Sequence, residues 1–172
     1  MLIPTQQSIY KHVSSNLTTT TIQYIFSSIS ITFISMLFGI GVNELIKKKE
    51  FYENISNLEF INNEFIYKLI GIKYIKWLVY KTFWKNFNTK LKIKSKPNLN
   101  ELSLLKQEMT SAEISHLIGF LFILIVSLIL LIKKEMEFGI ILIISNVIFN
   151  LYPSLLQQKN KKRIDKLINK RK

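Results

Sequence analysis

Glu113-Ile-Ser-His116 places a carboxylate and an imidazole three residues apart at the opening of a long apolar run. In a helix that spacing puts both side chains on one face. An imidazole accepts a proton near neutral pH, and a carboxylate beside it orients the ring and stabilises its protonated form. The chemistry open to such a pair is general-base activation of a hydroxyl. A second polar group closes the next apolar run: Asn150, Pro153, Gln157, Gln158 and Asn160, followed by Arg163. Polar and ionisable groups at a membrane edge are costly, and they have a function or a definite partner.

The elements that must position these groups are two helices of a hairpin. His116 lies seventeen residues before the turn that begins at Lys133, Pro153 sixteen after Glu137, and Gln157 twenty. Both helices rise at the same rate, so equal counts mean equal depth. The Glu113/His116 pair is therefore expected opposite Asn150 and the strip around Gln157 and Asn160. Pro153 removes one backbone donor, freeing a carbonyl near Phe149 and favouring a kink there. Spacing alone leaves two readings open, a catalytic pair and a hydrogen-bonded network that locks the helices. The E-x-x-H spacing also matches half of a di-iron bundle site, but that site needs further inward carboxylates on neighbouring helices. The other apolar runs supply none, so no metal is expected.

Composition explains why a membrane is the setting. The chain has 172 residues, 48% of them hydrophobic, with a formal net charge of +13. Both facts hold together if apolar residues are gathered into spans and charges into connections. Three spans are predicted, at about 20–42, 114–132 and 138–156, the last two joined by a tight turn at 133–137. The fold class is therefore all-α integral membrane, a single domain over 1–172. It has a cytoplasmic or interfacial insert at 43–113, with interfacial helices within 44–110, and a basic tail at 159–172. The first span is read as a retained helix, not a cleaved signal peptide, because its apolar run is too long and no small-residue cleavage site follows. Cysteine is absent, which removes thiolate chemistry and disulfides.

Charge gives the orientation. Thirteen lysines fall within 43–113 and eight lysines or arginines within 159–172, against Lys11 alone before the first span. The positive-inside rule puts the insert and the tail in the cytoplasm, with the N terminus and the short turn outside. Three spans give the same alternation. Residues 65–87 mix aromatics and aliphatics with five lysines that do not share one helical face, as expected of two short interfacial pieces broken near Gly71 or 77–80. Residues 90–100 are polar, carry Pro97 and read as a connector. No nucleic-acid-binding motif accompanies these lysines, so the expected partners are membrane lipids and a lipid-like substrate. In the first span Ser28, Thr32, Ser35 and Gly39 recur at helical spacing, a face suited to close packing on the other two helices.

The chain resembles the glycosyl-4,4'-diaponeurosporenoate acyltransferases, small bacterial membrane proteins of staphyloxanthin-type carotenoid synthesis. Three blocks carry the resemblance, from about Phe65 to Leu167: Tyr67 to Trp77, Met109 to His116, and Asn150 to Arg163 with Pro153, Gln157 and Asn160. It departs from the family pattern at 109–112, which is less basic, and at Leu117, where the family often has Trp. The resemblance implies transfer of a fatty acyl group to a sugar hydroxyl of a glycosylated carotenoid or membrane glycolipid, in the bacterial plasma membrane. His116 and Glu113 would then be catalytic, and Asn150, Pro153, Gln157, Gln158, Asn160 and Arg163 substrate-binding. No permanently bound cofactor is implied, only an acyl donor such as acyl-coenzyme A or an acyl carrier protein. Two other readings stand beside it: a non-catalytic accessory subunit bound to a partner membrane protein, and a lipid-binding or scramblase-like module.

Overall fold

The computed structural model describes residues 6–56, 71, 81 and 97–171, with side chains in the first helix from Leu17 onward. The expectations for residues 65–87 and for 90–96 fall outside these described residues, apart from the backbone at 71 and 81. The described residues are helical throughout, apart from short turns. Helix α1 runs Gln6–Ile46, α2 is the short Tyr52–Ser56, α3 runs Leu99–Ile132, α4 Met136–Asn146 and α5 Tyr152–Asn169. A π-helical turn, Val147–Leu151, joins α4 to α5 without a break.

Three stretches are long and apolar enough to cross a membrane: Leu17–Ile46, Leu99–Ile132 and Met136–Asn169. Each exceeds the roughly 20 residues that a bilayer core requires. They also outrun the predicted spans, because apolar composition marks where a helix is in lipid and not where its hydrogen bonding stops. At the start of α3 the stop is set by a cap. The Asn98 side chain accepts from the Glu101 amide at 2.8 Å, and the Glu101 carboxylate accepts from the Asn98 amide at 3.0 Å. This capping box satisfies two otherwise orphaned donors and makes the connector end at Asn98. Leu99 and Asn100 thus belong to the helix, and residues 99–110 continue α3 instead of forming a separate interfacial piece. At its other end α3 closes with Lys134 in the left-handed region (φ 67°). The amides of Lys134 and Glu135 donate to Leu131 and Leu130 O, both at 3.0 Å, which turns the chain directly into α4.

The stripe on α1 is buried as its spacing suggests: Ser28, Thr32 and Ser35 have no exposed surface. The hydroxyls of Thr32 and Ser35 bond back to carbonyls of their own helix at 2.7 Å, so they need nothing from α3. Glycines let the backbones meet. A Cβ on Gly39 would lie 2.1 Å from Ser115 O, and one on Gly119 would lie 3.0 Å from Ser35 O. The helices touch through their main chains here, the close approach that small residues permit in lipid. At the far end, the Thr21 hydroxyl donates to Glu137, and Tyr24 stacks on Phe138 with centroids 5.0 Å apart. Beyond the apolar spans α3 and α5 continue side by side. Leu102, Met109 and Ile164 form a small core there, with Leu105 and Ile168 packed on it. Lys106 pairs with Asp165 at 2.5 Å, and Arg171 donates to Pro97 O. The basic tail is thus one strand of a two-helix stalk.

Candidate functional site

Asn150 sits within the π-turn and is fully buried. The turn follows from Pro153. A prolyl nitrogen cannot donate, so the ladder loses a bond, and the extra residue is absorbed by a wide turn in which the Tyr152 amide reaches back to Val147 O. The extra residue rotates Asn150 into the space between all three long helices. Its Nδ2 donates to Ser35 Oγ of α1 at 3.0 Å and to Asn146 Oδ1 at 2.9 Å. Asn146 in turn donates to Phe120 O of α3 at 2.9 Å.

His116 lies against the Asn150 side chain. Its Nδ1 and the Asn150 Oδ1 are both buried, and neither has a hydrogen-bond partner among the described residues. The ring as a whole is only half-buried. With Nδ1 turned inward, the edge carrying Nε2 is the one that reaches the surface. That edge meets a cleft of about 360 Å³ between α1 and α3, lined by Met36, Ile40, Glu108, Ser111, Ala112, Ser115 and His116. Apolar groups on the α1 side face hydroxyls and the imidazole on the α3 side. Ser111 is held from behind, since its Oγ accepts from Asn43 Nδ2 at 2.8 Å, and the Tyr52 hydroxyl donates to Asn43 Oδ1 at 2.9 Å. Burial raises the Tyr52 pKa above its usual value, against the lowering effect of the Asn43 bond, so this phenol stays protonated at neutral pH.

Glu113 occupies a different setting. Its Oε2 pairs with Lys161 Nζ at 2.7 Å, and its Oε1 accepts from Gln158 Nε2 at 3.3 Å. Lys161 also donates to Ser56 O, which ties the segment after α1 to α3 and α5. Both charged side chains are under a tenth exposed. No bond between the Glu113 carboxylate and the His116 ring occurs among the described residues, so Asn150, not Glu113, is the polar group beside the imidazole. Helical geometry explains the change. Residues three apart share a face but are offset by about 60° around the axis, and here α5 claims one side chain while the π-turn claims the other.

The remaining residues singled out by sequence divide between these surroundings. Gln158 belongs to the charged clasp. Gln157 is half-buried with Oε1 enclosed and unbonded among the described residues. Pro153 shapes the π-turn, Asn160 is half-buried, and Arg163 is exposed on the outer face of α5. The structure adds Lys161, Asn43, Ser111 and Ser115 to these surroundings. In the sequence Lys161 reads only as a basic tail position, although its three-residue step from Gln158 puts it on the packed face. No ring of metal-binding side chains occurs among the described residues.

The family model for glycosyl-4,4'-diaponeurosporenoate acyltransferases matches residues 48–170. The match takes in α2, α3, α4 and α5, the elements that carry both polar clusters. No curated protein and no solved structure matches the chain.

Proposed function

We propose that this chain, which belongs to the glycosyl-4,4'-diaponeurosporenoate acyltransferase family, esterifies a hydroxyl of a membrane glycolipid or glycosylated carotenoid at the cleft between α1 and α3. The observation that carries this reading is His116: one ring edge is buried against Asn150 and the other is open to a cleft that is apolar on its far wall. With its proton on the inward Nδ1, beside the Asn150 amide, the ring leaves its Nε2 lone pair facing the cleft, the tautomer a general base requires. Catalytic hydrogen bonds are often long before substrate binds and tighten on it.

In the reaction the acceptor hydroxyl gives its proton to Nε2 as its oxygen attacks the acyl carbonyl. The bond from the acyl carbon to its carrier then breaks, and the imidazolium returns the proton to the leaving group. The developing oxyanion needs donors. The Asn150 amide hydrogens are engaged by Ser35 and Asn146, so the hydroxyls of Ser111 and Ser115 are the better candidates. Ser111 Oγ accepts from Asn43 and keeps its own hydrogen for the cleft. One well-placed donor is worth about 3 kcal/mol to such a step. Met36 and Ile40 give the acyl chain an apolar wall. Glu113 acts as a positioning residue through Lys161 and Gln158, and the charge asymmetry supports placing this end of the bundle in the cytoplasm.

The test is mass spectrometry of lipids and pigments from cells with the wild-type protein, with His116→Ala and with neither. An acyl ester present only with the wild type supports the enzyme. Identical profiles in all three would contradict it and favour an accessory subunit.

A further inference from the structure

The outer face of α5 has no role in the chemistry above, yet its pattern is regular. Lys159, Arg163, Lys166 and Lys170 follow one another at steps of four, three and four residues. At 100° per residue they fall within about 60° of one another. Ile164 and Lys161, which face α3, point to the opposite side. Arg163, Lys166 and Lys170 are exposed, and Lys159 is half-buried. The backbone under the stripe is rigid, because the stalk has its own core, the Lys106–Asp165 ion pair and the Arg171–Pro97 bond.

Depth separates the ligands this stripe suits. The apolar run ends at Leu156, so Arg163, Lys166 and Lys170 lie about 10, 15 and 21 Å beyond it along the helix. The headgroup layer is only about 5–8 Å thick on each side of the hydrocarbon. A helix tilt of about 20° shortens these distances by less than a tenth. Three of the four cations therefore stand past the lipid. They also diverge along a line, whereas a small phosphate ligand is held by donors that converge on one point. A row of exposed charges on a stiff helix fits the acidic face of a protein.

We infer that the basic stripe of α5 docks an acidic acyl-carrier protein that presents the acyl group as a thioester. The inference rests on the acyltransferase reading and names its donor. Lys106, level with Asp165 on the stalk, lies ten residues from His116, about 15 Å along α3. The carrier must bridge that distance with an extended arm, which delivers the thioester carbonyl to the cleft. There the C–S bond breaks as the ester C–O bond forms, and the acceptor's proton passes through His116 to the carrier thiol.

The test uses the full-length protein in phosphatidylcholine nanodiscs with a purified fatty-acyl carrier protein as probe. The wild type binds at low salt, and binding fades toward 1 M salt as the screening length falls to about 3 Å. Arg163→Glu/Lys166→Glu/Lys170→Glu weakens binding on the order of tenfold or more. Should that variant show no melting transition, the corresponding triple glutamine variant shows the same direction of change. His116→Ala binds carrier like the wild type. Binding lost in the triple variant supports docking even where no ester forms, in which case it is the acyl-transfer reading that falls. Absence of binding by the wild type, or equal binding by the charge-reversed variant, overturns the inference. So does a triple variant that loses phosphatidylglycerol vesicles and keeps the carrier.

Discussion

Two polar clusters lie within one turn of each other on α3, and they are built on opposite terms. Glu113, Lys161, Gln158 and Ser56 form a charged clasp in which the ion pair is closed and both carboxylate oxygens are bonded. His116 and Asn150 lie side by side, and the buried His116 Nδ1 and Asn150 Oδ1 have no hydrogen-bond partner among the described residues. A closed cluster holds helices together. An open one keeps bonding capacity for a ligand or for a rearrangement when the ligand arrives. The sequence motif Glu113-x-x-His116 joins the two, but the fold separates them: the carboxylate is tied to α5, while the ring lines the cleft where we propose that it transfers a proton.

Removing the ring separates the two clusters most sharply. His116→Ala lowers the acyl-transfer rate of purified protein by about 10²–10⁴, the range expected for a positioned acid–base group, with little change in melting temperature. Opening the clasp has the reverse signature. Lys161→Met leaves Glu113 buried without its cation and costs about 3–5 kcal/mol of stability, read by thermal or denaturant unfolding in detergent. Glu113→Gln/Lys161→Met together recovers part of that loss, because neither charge is then stranded. Asn150→Ala falls between the two. It removes the bonds to Ser35 and Asn146, costing about 1–3 kcal/mol, and also slows transfer because the ring loses the group that fixes it. A fourth substitution lies far from both clusters. Lys134→Gly relieves the left-handed backbone at the turn and raises stability by about 1 kcal/mol, without effect on transfer.

Much of this arrangement is legible in the sequence, for identifiable reasons. Apolar runs bounded by charge show three spans, and nearly equal residue counts from the turn place Pro153 and Gln158 at the depth of His116 and Glu113, with Asn150 within about a turn of that level. The small-residue stripe of α1 announces the close crossing at Gly39 and Ser115. Pro153 signals a break near Phe149, and the π-turn forms there. Three things are not legible. Whether Glu113 turns toward His116 or toward α5 depends on the rotation of α5 after the π-turn, which adds an angle that residue counting does not contain. Lys161 looks like one more basic tail residue, since its burial depends on Ser56 arriving from the other side. The cleft depends on Met36 and Ile40 of α1 standing beside α3, and nothing in their local pattern distinguishes them from lipid-facing residues.

If the proposed reaction is right, the open cluster and not the closed one carries the chemistry. The most direct measurement is the initial rate of acyl-ester formation by purified protein in nanodiscs, comparing wild type, His116→Ala and Lys161→Met at a temperature where all three are folded. His116→Ala is expected to lose nearly all activity while Lys161→Met keeps a substantial part of it. An active His116→Ala protein, with activity lost only in Lys161→Met, would contradict a catalytic His116 and move the chemistry to the clasp.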